Sequence, residues 1–173
     1  LSEKKTAMYR FLFILGFFFF IGCSVSEPKM EKFGPLSSDV FLNKPLGFPL
    51  TMSNFEFELG EDYRERTFIR TLSSDTSRKD TIYRFTKKGN SFIFYRTQNG
   101  KTSFLSAKIR HKKTPLTGNF HPGVSREMLN QGFTDINFTL DTCKFDNGRR
   151  QAVFIFNDKD KLKEIQLNNY YKR

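Results

Sequence analysis

Two cysteines, two histidines and one dense cationic run hold most of the reactive side chains of this 173-residue chain. Cys143 lies in Leu140-Asp-Thr-Cys-Lys-Phe145, a strand-like run. A cysteine nucleophile needs a base that draws off its proton. Only His111 and His121 could serve, and both come from outside that segment. His111 sits in Lys108-Ile-Arg-His-Lys-Lys113 and His121 beside Pro122-Gly123, neither with a second metal-type ligand at helical spacing. Glu61 and Asp62 follow Gly60 directly, and as neighbours in a polar stretch they read as a solvated turn, not as an acid/base pair. There is no Gly-x-Ser-x-Gly, no phosphate-binding loop ending in Lys-Ser/Thr and no His-Glu-x-x-His. The expectation is a non-enzymatic protein with no catalytic residue, no metal and no cofactor.

Cys23 carries a different chemistry. Lys4, Lys5 and Arg10 precede the apolar run Phe11-Leu-Phe-Ile-Leu-Gly-Phe-Phe-Phe-Phe-Ile-Gly22, which holds six of the 22 phenylalanines. A positive segment, a short apolar stretch and a small residue describe a secretory signal peptide. As a helix the run would rise about 18 Å, short of a hydrocarbon core of about 30 Å. Phe20-Ile21-Gly22-Cys23 resembles a bacterial lipobox. That resemblance implies diacylation of the Cys23 sulfur, cleavage just before it and acylation of the new amine, the modifications summarised by palmitate and a membrane anchor. Lipid on Cys23 leaves Cys143 without an intramolecular partner, so no disulfide is expected. Ser24 resembles the residue that sends such lipoproteins to the outer membrane. The expected location is the cell envelope, lipid-anchored at the outer membrane and facing the periplasm.

Residues 1–22 are thus expected to be a signal peptide and 23–34 a polar, lipidated tether. The remainder would keep 26 basic and 17 acidic residues, a net charge of +9. With 38% hydrophobic and 27% charged residues the chain is neither disordered nor a polytopic membrane protein. Lys108, Arg110, Lys112 and Lys113 are candidate contacts for a polyanion or an anionic lipid surface, and a solvated face that keeps the chain soluble is the plainer reading. Arg64, Arg66, Arg70, Arg78 and Lys79 form a second cationic group. Phe92, Phe94 and Tyr95 nearby could stack bases, but their alternation also suits a sheet core, and export argues against a nucleic-acid partner.

The elements that must position these groups are mainly strands. Thr81–Thr86, Ser91–Thr97 and Thr102–Ile109 are separated by a turn at Lys87-Lys-Gly-Asn90 and by Gln98-Asn99-Gly100, whose Asn-Gly pair suits a type I′ turn. A second series runs through Ile136, Phe138 and Leu140, then Gln151–Phe156, then Leu162–Leu167, with turns at Asp146–Gly148 and Asn157–Asp160. Each series follows a candidate short helix. Ser125–Gly132 has Ser125 as N-cap, Glu127 in its first turn and Gly132 as stop. Ser53–Gly60 has Ser53 and Glu56 as a capping box, Met52 and Phe57 as a staple and Gly60 as stop, although Phe55, Phe57 and Leu59 also alternate as in a strand.

His121-Pro-Gly-Val-Ser-Arg-Glu-Met-Leu-Asn-Gln-Gly132 and Phe154-Ile-Phe-Asn-Asp-Lys-Asp-Lys-Leu-Lys-Glu-Ile165 resemble the helical opening and paired strands of SmpA/OmlA-type outer-membrane lipoproteins and of β-lactamase-inhibitor-protein-like domains. Leu46–Gly60 is a fainter copy. The resemblance implies an α+β fold of two tandem units, 35–115 and 116–173, each a short helix packed on an antiparallel three-stranded meander. It also implies a non-catalytic protein-binding or assembly role with an envelope protein as partner. An inhibitor or immunity-type lipoprotein that blocks a hydrolase or toxin is the alternative.

Overall fold

A computed structural model describes residues 35–72, 75–114 and 116–170. The expected signal peptide, Cys23 and the tether lie outside the described residues. The aromatic/polar alternation of the sequence becomes seven strands: β1 (Arg64–Leu72), β2 (Asp75–Lys87), β3 (Asn90–Arg96), β4 (Thr102–Ile109), β5 (Thr142–Asp146), β6 (Arg150–Phe156) and β7 (Leu162–Asn169). All pair antiparallel in one sheet of order β1-β2-β3-β4-β7-β6-β5. The fold is mixed α+β.

The expectation of two tandem three-stranded units is corrected by one pairing. Ser106–Ile109 of β4 lies in register with Ile165–Asn168 of β7, which fuses the two meanders edge to edge. Burial explains the union: Ala107 and Ile109 on β4 and Ile165 and Leu167 on β7 are at most 5% exposed, and separate sheets would leave those edges to water.

Three helices and the loops around them cover one face. Helix α1 (Ser38–Asn43) starts at Ser37, whose Oγ accepts from the Val40 amide at 3.3 Å. The Asp135 carboxylate also accepts from the Ser38 amide and hydroxyl at 2.8 and 2.7 Å, so a distant residue completes the cap and its carboxyl is held below its ordinary range by those bonds. At the other end the Arg150 guanidinium donates to the carbonyls of Leu42 and Asn43 at 2.9 and 3.1 Å. Helix α2 (Met52–Leu59) starts two residues earlier than the sequence suggests, with Thr51 in place of Ser53 as N-cap, accepting from the Asn54 amide. Its Phe55 is buried, Phe57 is 87% exposed and no staple forms, while Gly60 keeps helical dihedrals (φ −57°) and leads into a 3₁₀ turn. Helix α3 (Arg126–Gly132) has the expected cap: Ser125 Oγ accepts from the Met128 amide at 3.3 Å. Gly132 is its last residue, packed inside, and needs no left-handed conformation.

The core is aromatic and gathers in two groups. Phe55 of α2 sits among Tyr63, Phe85, Phe92 and Phe94 at centroid distances of 4.7–5.4 Å. Phe41 of α1 packs with Phe133, Phe145 and Phe154 at 5.5–6.3 Å. Ring edges set against ring faces add to the area they bury.

Two turns exchange roles. The type I′ geometry expected at Asn99-Gly100 occurs instead at Lys88-Gly89, where both residues have positive φ (47° and 86°). In the β3–β4 loop only Gly100 has positive φ (80°), and its amide donates to the Thr97 carbonyl at 2.9 Å, a three-residue loop ending in a glycine. The expected strand through Ile136, Phe138 and Leu140 is a loop. Asn130 Oδ1 accepts from the Phe138 amide at 2.7 Å, Phe138 is buried and Leu140 is 68% exposed, so the strand begins only at Thr142.

Candidate binding face

Side chains alternate across a strand, so the residues between the buried rings form a second, separate surface. On the covered face one row runs across the six strands from β2 to β5, through Phe85, Phe92, Ala107, Leu167, Ala152 and Phe145, with Glu65 opposite Phe85 on β1. On the other face no helix lies among the described residues, and the rows are mostly polar. One reads Arg64, Thr86, Ser91, Lys108, Gln166, Val153 and Lys144 across the seven strands. The next reads Arg66, Arg84, Ile93, Ser106, Asn168, Gln151 and Asp146.

Where β2, β3, β4 and β7 meet, this open face dips into a depression of about 230 Å³. It is lined by Arg84, Ser91, Ile93, Ser106, Ala107, Lys108, Gln166 and Asn168. Two cations, two hydroxyls and two amides line it, and no carboxylate does. Arg84 Nε donates to Ser91 Oγ at 3.3 Å, which aims the guanidinium along the rim. Arg66 stands directly opposite Arg84 in the β1–β2 register. Among the described residues, neither guanidinium lies within ion-pair distance of a carboxylate.

Beside the depression the charge is balanced. Glu164, 3% exposed, accepts from Arg110 Nε at 2.5 Å and from Gln166 Nε2 at 2.6 Å, and Lys108 Nζ lies 3.5 Å away. Burial alone would raise this carboxyl, but the bonds from Gln166 and Arg110 and the charges of Lys108 and Arg110 outweigh it and hold Glu164 below its ordinary range.

The cationic run at 108–113 is therefore divided. Lys108 and Arg110 belong to the open face. Buried Asn90 then bends the chain: its Oδ1 accepts from the Arg110 and His111 amides at 2.8 and 2.9 Å, and its Nδ2 donates to Thr114 and Tyr63 at 2.5 and 3.1 Å. Lys112 lies against Gly123, where an added Cβ would come within 2.9 Å of its Cε. Lys113 lines a smaller hollow of about 120 Å³ with His111, Tyr63 and Lys87. The four lysines and arginines do not converge on one ligand. Arg84 is the lining residue that the sequence did not single out; its local signal is a cation set between Tyr83 and Phe85, and only the strand register places it opposite Arg66.

The residues with reactive groups are dispersed. Cys143 is half-buried and its thiol donates to the Leu140 carbonyl at 3.2 Å. It shares a row with Phe154, Ile165 and Ile109, so the chain at His111 stands three strands away, about 14 Å at the usual strand spacing. No Cys–His111 pair forms at that separation. His111 Nδ1 accepts from the Lys113 amide at 3.3 Å, and His121 Nδ1 faces the Pro122 carbonyl at 3.0 Å. Asp62 pairs with Lys87 Nζ at 2.7 Å in an exposed turn. Phe92 and Phe94 are wholly buried in the core, so they offer no surface for stacking a base. The described residues contain no group of three or more His, Cys, Asp or Glu placed to hold a metal ion. They also contain no helix long and apolar enough to cross a membrane. Comparison with known proteins finds no family model, no curated protein and no solved structure that matches this chain.

Proposed function

We propose that this chain is a lipid-anchored cell-envelope lipoprotein with a non-catalytic protein-binding or assembly role. It would be anchored through Cys23 at the outer membrane and would work with an envelope protein. The observation that carries the binding role is the open sheet face. An antiparallel sheet can leave one face to water, and ordinarily that face mixes charges of both signs. Here its β1–β4 half carries Arg64, Arg66, Arg84 and Lys108 against one buried carboxylate, Asp80, dips into a donor-rich depression and, among the described residues, has no helix over it. The export half of the proposal rests on the signal-like run and the lipobox-like Phe20-Ile21-Gly22-Cys23.

Two measurements test it. Wild-type protein should fractionate with membranes and incorporate labelled palmitate, and Cys23→Ser should move it to the soluble fraction without label; membrane retention of that variant would contradict lipidation. Crosslinking in the native envelope should then recover outer-membrane assembly components. Recovery of a soluble hydrolase or toxin would replace the assembly role with an inhibitory one, and recovery of neither sinks both.

A further inference from the structure

We infer that the cationic half of the open face, centred on Arg66 and Arg84, docks an extended acidic segment of a protein partner. This inference rests on the protein-binding role proposed above and names the chemistry of the partner. Like charges directly opposite each other in an antiparallel pair destabilise a sheet, because their Cβ atoms stand only about 5 Å apart. The chain nevertheless holds Arg66 opposite Arg84, with no carboxylate at ion-pair distance from either among the described residues. Places where a local rule is broken without an internal compensation are where an external partner supplies it.

The layout of the cations identifies the partner. A single phosphate would be gripped by donors converging on one point. Here Arg66 on β1, Arg84 on β2 and Lys108 on β4 are strung over three strand spacings, about 14 Å, with Ser91 and Ser106 between. An extended chain places the side chains of residues i, i+2 and i+4 on one side over nearly the same length, at about 3.3 Å per residue. Carboxylates at alternate positions of such a segment therefore reach these cations in turn, and the Arg forks can grip them with paired bonds. Apolar surface is interleaved: Ile93 lies in the depression, and Phe68, 48% exposed, follows Arg66 on the same face opposite Ile82. A segment mixing acidic and apolar residues matches this surface. A second copy of the chain does not, because it would bring the same cations against these.

The test uses the full chain extracted in detergent and a labelled seven-residue peptide with Glu at alternate positions and Leu or Ser between. The peptide should bind, its Gln counterpart should not, and affinity should fall as salt rises. Arg66→Gln and Arg84→Gln should each weaken binding about tenfold, whereas Lys159→Gln, in the distant β6–β7 turn, removes the same charge and should change it less than twofold. Melting temperatures of the two arginine variants should not fall, which separates lost binding from lost folding. Equal losses for all three variants, or equal binding of the Gln peptide, would show only net charge and overturn the inference. So would binding of heparin or phosphatidylglycerol vesicles through these arginines by a protein that ignores the peptide. A crosslinked envelope partner retained by the Arg66→Gln/Arg84→Gln double variant leaves the protein-binding role standing and removes this site from it. No crosslinked partner, with arginine-dependent peptide binding intact, supports the site and counts against the assembly role.

Discussion

The two faces of the sheet are written by the same strands, one residue out of phase, and they differ in nearly every physical respect. On β3, Phe92 and Phe94 are fully buried while Ser91 and Ile93 line the open depression. On β6, Phe154 is fully buried and packs on Phe41 of α1, while Ile155 is only partly buried. The covered face spends its side chains on packing. The open face holds hydroxyls, amides and, among the described residues, two guanidiniums without a carboxylate partner, Arg66 and Arg84, whose juxtaposition works against folding. A surface that costs stability on a scaffold stabilised from its other side is the arrangement expected of a binding protein.

Substitutions one residue apart can break that contrast. Phe154→Ala should cost about 3–5 kcal/mol, measured by denaturant unfolding, because it empties a site ringed by Phe41, Phe138 and Phe145. Ile155→Ala, its neighbour on the open face, should cost well under half of that; equal losses would mean the open face is covered. Ser125→Ala removes the cap of α3 on the covered side and should cost about 1 kcal/mol.

Glu164→Gln addresses a well-buried carboxylate on the open face, which also carries buried Asp80 on β2. Because Arg110 and Lys108 are about half-exposed, the loss should be only about 1 kcal/mol. Its pH dependence has a definite sign. The folded-state carboxyl lies below its unfolded value, so folding releases protons in that window and stability rises with pH. The contribution is fully present above the unfolded carboxyl range, about 4.3, and disappears as pH falls through the lower folded value. Glu164→Gln should accordingly flatten part of the acid limb of the stability curve, with Asp135 accounting for another part. The smallest effect is expected at Arg84→Gln, where relief of like-charge repulsion should leave stability unchanged or raise it by a few tenths of a kcal/mol. A clear destabilisation there would mean that Arg84 supports the fold.

Much of the local structure could be read from the chain because its signals are local. β2, β3, β4, β6 and β7 follow the alternation of Phe, Ile and Leu with polar residues, and Ser125 marks the start of α3. What escaped has a common cause. β1 is exposed along its described side chains, so Arg64–Arg70 carries no apolar face for periodicity to find. Helix α1 is six residues long and owes its start partly to Asp135, almost a hundred residues away. Phe138 and Leu140 mimic a strand in spacing, yet Asn130 captures the backbone between them. The fusion of the two meanders at β4 and β7 depends on pairing residues about sixty apart, and a sequence pattern does not encode which edges meet. The candidate site shared this difficulty: Lys108 and Arg110 stood out as a run, whereas Arg66 and Arg84 become a pair only through strand register.

The attachment of Leu36 sets how the domain would bear load. Its amide donates to the Gly132 carbonyl at 2.9 Å and its carbonyl accepts from the Thr134 amide at 3.0 Å, a short parallel clasp next to the Ser38–Asp135 bonds. Tension applied at Leu36 would load this clasp and, through it, α3. The β1–β2 hairpin stands at the opposite edge of the sheet from β5, the edge strand on the clasp's side.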